Sequence, residues 1–431
     1  MTLVVWALAA VLSGGATDAT AAQAQKAAEA PQATSAETLA RHAGKAGFYL
    51  RLPKQQRERD PDFYLSHPLV DAVVISFGWS DIEPRPGEFN FTEIDKFIAL
   101  CKKHQKGLVL AFSTYGQHPD INLQPTPTWL YDKGVERITF HGGGAAKGKG
   151  VVIPKVWDDA YWPWYEKFVK KLGERYRDEK AIWYVMPAFG HIGNLNAQPS
   201  KGGGPALLKA GWTAEKREAF CLKVAALYQK EFPATPLIVT AANQLLQDKG
   251  AGTSLEDRHH RNELMDILTR LAGQGISIIR FGLEVDENRV KKSKLLEQYR
   301  PLVPLAEKGL IRLGIGDDWP LWVPANRRGV KFLADRDEKG LRSILDNAFG
   351  GVHGLPETRV SILYVLHPEI EAPHPGRPDG QNKEVYELLK AARERLIRDD
   401  PVKKPRPLRT GRKAVSHWEL SGNRWGNTVG M

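Results

Sequence analysis

The chain has 431 residues, 42% apolar and 26% charged, with a formal net charge of +11. That length suits one large α/β barrel or two ordinary domains, and the composition excludes fibrous and wholly disordered classes. The positive charge does not point to nucleic acid. Much of it lies in a proline-interleaved terminal run (Lys403, Lys404, Arg406, Arg409, Arg412, Lys413) that reads as a solvated tail over residues 401–431, and no zinc-finger spacing or RNP-like motif accompanies it. An acidic polysaccharide partner is a softer alternative for that charge.

From the start of the chain, Thr2 to Leu12 form an apolar run, followed by Ser13-Gly14-Gly15 and small residues around Ala19 to Ala22. This is the pattern of a signal peptide over residues 1–22, although no Lys or Arg precedes the run. The run is too short to span a bilayer. The Ala-rich polar stretch 23–45 reads as a linker. The expectation is an exported protein, periplasmic or secreted, with no membrane span after signal removal.

Residues 46–400 alternate strand and helix patterns. Candidate strands are Ala46–Leu52, Val70–Phe77, Gly107–Phe112, Ile182–Met186, Leu237–Thr240, Ile276–Phe281, Leu310–Ile315 and Val360–Leu366. Their near-continuous apolar runs suit strands buried on both faces. Candidate helices begin at Thr92, cover Asp158–Arg175 and Thr213–Glu231, and then Arg261–Leu271, Ser293–Lys308, Asp337–Phe349 and Lys383–Arg398. Thr92, with Asp95 three residues on, and Thr213 are the expected N-caps. Cys101 and Cys221 fall inside helices, far apart, and read as buried residues rather than a disulfide or a nucleophile. Eight β-α units predict a single (β/α)8 TIM barrel with long βα loops, the longest being the excursion after the third strand.

One stretch carries a family pattern. Trp79, Ile82-Glu83-Pro84, Gly87, Phe89-Asn90-Phe91, Ile94-Asp95 and then Pro127-Thr128-Trp129-Leu130 resemble the (β/α)8-barrel retaining glycoside hydrolase clan that includes the family-42 β-galactosidases. The resemblance implies a glycosidase with a catalytic acid/base glutamate after the fourth strand and a nucleophilic glutamate after the seventh. The chain departs at both places: Gly190-His191-Ile192-Gly193-Asn194 follows the fourth strand, and Asp317-Asp318 follow the seventh. In that family the Glu83 position is mainly structural, and the same reading applies here.

Glycoside hydrolysis needs two carboxyl groups flanking the bond. The strand ends offer Glu284 after the sixth strand and Asp317 and Asp318 after the seventh, beside Trp319, where partial desolvation and mutual repulsion would raise a carboxyl pKa. These three are the candidate catalytic residues. A turn or N-cap role for the aspartates, and a salt bridge from Glu284 to Arg280 or Arg289, are the plain alternatives. Glu369 follows the eighth strand. Trp79, Tyr115, Trp319 and Trp322 could stack on sugar rings or simply close the core. His191, Asn194 and Asn243 could hydrogen-bond hydroxyls, and His191 could donate a proton.

Two motifs lead nowhere. Gly143 to Lys149 has phosphate-loop spacing, but Gly150 and Val151-Val152-Ile153-Pro154 follow instead of a helix, so a glycine-rich loop over the barrel mouth fits better. His259-His260 lacks helical metal-site spacing. The sequence therefore suggests no metal and no cofactor. A glycoside hydrolase acting on an oligo- or polysaccharide leads. The alternatives are a barrel that binds carbohydrate without cutting it, and a lyase or isomerase using His191 or His367 as base.

Overall fold

The computed structural model describes residues 45–115, 124–141, 150–190, 203–241, 256–281, 300–316, 321–322, 337–349, 360–366 and 383–403. The strands are β1 (Gly47–Arg51), β2 (Ala72–Gly78), β3 (Gly107–Ser113), β4 (Arg137–His141), β5 (Gly150–Pro154), β6 (Ile182–Met186), β7 (Ile238–Ala241), β8 (Ser277–Phe281), β9 (Leu313–Gly316) and β10 (Val360–Leu366). Eight of them form one sheet in the order β6-β3-β2-β1-β10-β9-β8-β7. Its pairings are parallel. A parallel bridge between Val185 and Leu237 joins the two ends, so the sheet closes as a (β/α)8 barrel.

The strands form where the sequence places buried apolar runs. β2 and β3 are buried along their whole length. Alternate residues point inward: Tyr49, Val74, Val109, Ala111, Tyr184, Met186, Ile238, Ile279, Ile362 and Tyr364 fill the barrel. The lumen is tight enough to require Gly314, since a Cβ there would lie 2.7 Å from Ile279 Cγ1 and 3.2 Å from Ile362 Cβ. At the N-terminal end, Arg312 pairs with Asp400 at 2.7 Å, and both are almost fully buried. This pair ties the segment after the last helix to the barrel floor.

The helices are α1 (Lys54–Arg59), α2 (Pro61–Ser66), α3 (Trp79–Ile82), α4 (Thr92–His104), α5 (Trp129–Asp132), α6 (Trp162–Tyr176), α7 (Gly203–Lys209), α8 (Ala214–Glu231), α9 (Glu256–Gly273), α10 (Val303–Glu307), α11 (Glu338–Phe349) and α12 (Lys383–Arg398). Thr213 caps α8 as expected, its hydroxyl accepting from Lys216 N at 3.3 Å. Thr92 does not cap α4. It is the first helical residue, Phe91 stands at the cap position without a side-chain cap, and Asn90 Oδ1 accepts from Thr92 N at 3.1 Å. Asp95 is drawn instead to α6, where Tyr176 Oη donates to it at 2.8 Å and Arg175 pairs with it. The long excursion also holds an antiparallel hairpin, β4 with β5, that the sequence reading passed over. Ile138, Phe140, Val151 and Ile153 are buried on one face of it, and the glycine-rich residues 142–149 that join its strands lie outside the described residues. The proposed signal and nearly all of the linker, and the tail from residue 404, also lie outside them.

Cys101 and Cys221 are free and buried, as expected. Burial pushes both thiols up to about 12, which leaves them protonated and poor nucleophiles. Among the described residues, no helix is long and apolar enough to cross a membrane.

Candidate active site

The C-terminal strand ends define the mouth of the barrel, where (β/α)8 enzymes place their chemistry. At the end of β2, the Glu83 carboxylate is a junction. Trp79 Nε1 donates to its Oε2 and Gly87 N to its Oε1, each at 2.8 Å, and Trp129 Nε1 donates to its backbone oxygen at 3.2 Å. Burial raises the Glu83 pKa, against the lowering effect of the Trp79 and Gly87 hydrogen bonds. The β2 loop is also sewn to the β3 excursion, with Ser80 N donating to Pro125 O at 2.7 Å. Gly78 makes that approach possible, because a Cβ there would stand 2.8 Å from Pro125 Cβ.

Trp79 therefore offers no stacking face to a sugar. It is 0% exposed, stacks on Phe168 at 4.9 Å, and meets Trp129, Tyr161 and Tyr165 edge-on. Of its two readings, core closure is the one its packing supports. Tyr115 is 6% exposed, with its ring 6.4 Å from Phe140, and Trp322 is fully buried. The glutamate of the Glu-Pro turn has the structural role expected of it.

The end of β6 is pinned with equal care. Gly190 O accepts from Thr114 N at 2.9 Å, Tyr115 N at 3.1 Å and Ser113 Oγ at 2.7 Å. Two residues earlier, Tyr165 Oη donates to Ala188 O at 2.7 Å and Ala188 N donates to Tyr228 Oη at 3.4 Å. The chain thus leaves the fourth barrel strand from a fixed point. Sequence reasoning missed Ser113, Tyr165 and Tyr228. The available signal was the row Tyr161, Tyr165, Phe168, Leu172 at helical spacing, which marks the face of α6 turned to the barrel.

Across the mouth, Tyr364 Oη donates to Met186 Sδ at 3.9 Å. Burial raises the Tyr364 pKa, and the charge of Arg51, at the end of β1, opposes that rise. Arg280 is buried on β8 and donates to Ala241 O at 3.1 Å.

Phe281 of β8 and Gly316 of β9 are register partners on adjacent strands; in the sequence Glu284 comes three residues after the first, and Asp317 and Asp318 directly after the second. Those three residues, with His191, Asn194, Asn243, Trp319 and Glu369, lie outside the described residues. Among the described residues, no cluster of His, Cys, Asp and Glu has the makings of a metal site.

A closed parallel barrel with this braced β2 loop resembles the glycoside hydrolase clan. Residues 52–187 match the family-42 glycoside hydrolase model, described as Beta-galactosidase. Beta-galactosidase LacZ of Lactobacillus acidophilus is 22% identical over 143 residues, covering 32% of this chain and 20% of that protein. The aligned part is thus about a fifth of that relative's length. The catalytic domain of beta-amylase from Paenibacillus polymyxa superposes with a TM-score of 0.52 at 12% identity, covering 85% of this chain and 100% of that one. Xylanase 10B from Thermotoga maritima gives a TM-score of 0.49 at 12% identity, over 84% of this chain and 98% of that one. The amylase likeness is one of fold, and it extends over most of the chain.

Proposed function

We propose that this chain hydrolyses a glycosidic bond of an oligo- or polysaccharide, using carboxylates at the mouth of the barrel. The observation that carries the reading is the family-42 match over residues 52–187, which includes the braced β2 loop and the second to fourth barrel strands. Glu284 and Asp317, with Asp318 beside it, are the proposed carboxyl pair. Their support is the pairing of Phe281 with Gly316 on adjacent strands, because Glu284 and Asp317 are the first acidic residues after them in the sequence. One carboxyl would protonate the leaving oxygen while the other attacks the anomeric carbon or activates water. A separation of about 5–5.5 Å would make the enzyme retaining, and about 6.5–9.5 Å inverting.

A second reading has its own motivation. From Ile182 to Gly190 the fourth strand and its exit contain no acidic residue, and His191 stands next. A barrel that binds carbohydrate without cutting it would tolerate that loss. Aryl glycosides and polysaccharides assayed for released reducing ends separate the two. Hydrolysis that disappears in Asp317→Ala, with the circular dichroism spectrum retained, supports the hydrolase. Glycan binding without any release supports the alternative, and full activity in Asp317→Ala removes that residue from the mechanism.

A further inference from the structure

In a (β/α)8 barrel each helix runs back against its strands, so helices begin at the mouth. α6 leads into β6 and α8 leads into β7, so the starts of both stand on the mouth side. Between them runs a continuous aromatic seam. Trp157, in the turn before α6, packs on Trp212, just before α8, with ring centroids 4.7 Å apart. Trp212 meets Phe220 of α8 at 6.4 Å, and Phe220 meets Trp162, the first residue of α6, also at 6.4 Å. Trp212 and Phe220 are buried and form the floor, while Trp157 and Trp162 are half-buried and form the surface. Trp164 lies on the other flank of α6, against Trp129 at 5.5 Å, and does not belong to the seam.

Two exposed lysines of α8 complete the surface. Lys216 Nζ lies 5.9 Å from the Trp157 ring centroid and Lys223 Nζ 3.8 Å from that of Trp162. Each half-buried indole is thus paired with an ammonium; Lys216 Nζ spends one of its three donors on Gly211 O at 2.6 Å. The surroundings are not a basic patch: Asp159 and Glu166 act on Lys223, and Asp158 and Glu215 stand on the same elements. A polyanion would meet these carboxylates. Trp212 adds a buried Nε1 with no partner among the described residues, an unspent donor inside the seam.

We propose that the Trp157–Trp162 seam is a saccharide-binding site beside the mouth, which takes a neutral oligosaccharide chain. The apolar faces of pyranose rings cover the two indoles, and Lys216 and Lys223 turn from the rings to donate to hydroxyls. Only the choice of a carbohydrate ligand rests on the function proposed above.

Native affinity electrophoresis of the full chain, in gels cast with soluble galactan, xylan or polygalacturonate, tests the site. Galactan or xylan should retard the protein, and any retardation by polygalacturonate, which the net charge of +11 can supply, should be the same in the tryptophan variants as in the parent protein. Trp157→Ala and Trp162→Ala should lose most of the retardation, whereas Trp157→Tyr keeps part of it and controls for folding. No retardation by either neutral polymer, retardation by polygalacturonate alone, or alanine variants that migrate like the parent protein in the neutral gels would each overturn the proposal. Reducing ends measured on the same samples keep the two hypotheses apart. Retardation without release leaves the seam standing and removes the hydrolase reading, and release without retardation does the reverse.

Discussion

Trp79 donates its indole N–H to Glu83 Oε2 at 2.8 Å, and both side chains are shut away from water, at 0% and 1% exposure. The carboxylate takes a second donor from Gly87 N, so one buried acid holds the strand exit, the turn and, through its backbone oxygen, Trp129. Removing it strands two buried donors. Glu83→Ala should lower the unfolding free energy by about 2–4 kcal/mol, read by urea denaturation. A loss below half a kcal/mol would mean that the donors find water or other partners.

The same residue gives a pH signature. Its folded pKa is raised above the ordinary value of 4.5, chiefly by burial. The folded state therefore holds the proton to higher pH than the unfolded chain does. The contribution is fully present below the unfolded pKa and is lost as pH rises through the folded one. Comparing the parent protein with Glu83→Gln from about pH 4 to 8, the parent should lose stability relative to the variant as pH rises above 4.5. A flat difference would contradict the raised pKa.

Asp400 is 0% exposed and meets Arg312 at 2.7 Å on the barrel floor. Asp400→Ala leaves a buried guanidinium without its carboxylate and should destabilise by about 3–5 kcal/mol. The double change Arg312→Met with Asp400→Leu should recover much of that loss, because an apolar pair needs no charge compensation. Thermal unfolding of the three proteins checks the order, and a double variant weaker than Asp400→Ala would refute it.

Ser113→Ala removes the hydroxyl whose one proton is shared between Tyr115 O at 2.5 Å and Gly190 O at 2.7 Å, while the two backbone N–H groups on Gly190 O remain. Stability should fall by about 1 kcal/mol. In the hydrolysis proposed above, kcat should fall more than KM changes, since the variant loosens the frame of the mouth rather than a substrate contact. Ser113→Thr, which keeps the hydroxyl, should restore kcat. A change in KM alone would place Ser113 in binding.

Both thiols should be silent in the native protein. At pH 8, Ellman's reagent should titrate neither Cys101 nor Cys221 until denaturant is added, because both are buried and pushed up to about 12. Rapid reaction of either in native buffer would show that its helix opens.

The sequence by itself determined where the barrel strands lie, because a strand buried on both faces writes itself as a local apolar run. Ile182–Met186 and Val360–Leu366 were legible to the residue. It also marked Glu83 as structural and both cysteines as buried, and it placed the candidate carboxylates just past the ends of β8 and β9. Tertiary structure decided what depends on distant partners. The Val185–Leu237 bridge closes the sheet, Ser113 reaches Gly190 across 77 residues, and Arg312 reaches Asp400 across 88. No periodicity encodes such contacts. The tryptophans make the same point, since an indole that could stack on sugar or fill a core is the same letter in either role. Packing alone put Trp79 beneath the mouth and left Trp157 and Trp162 half open beside it.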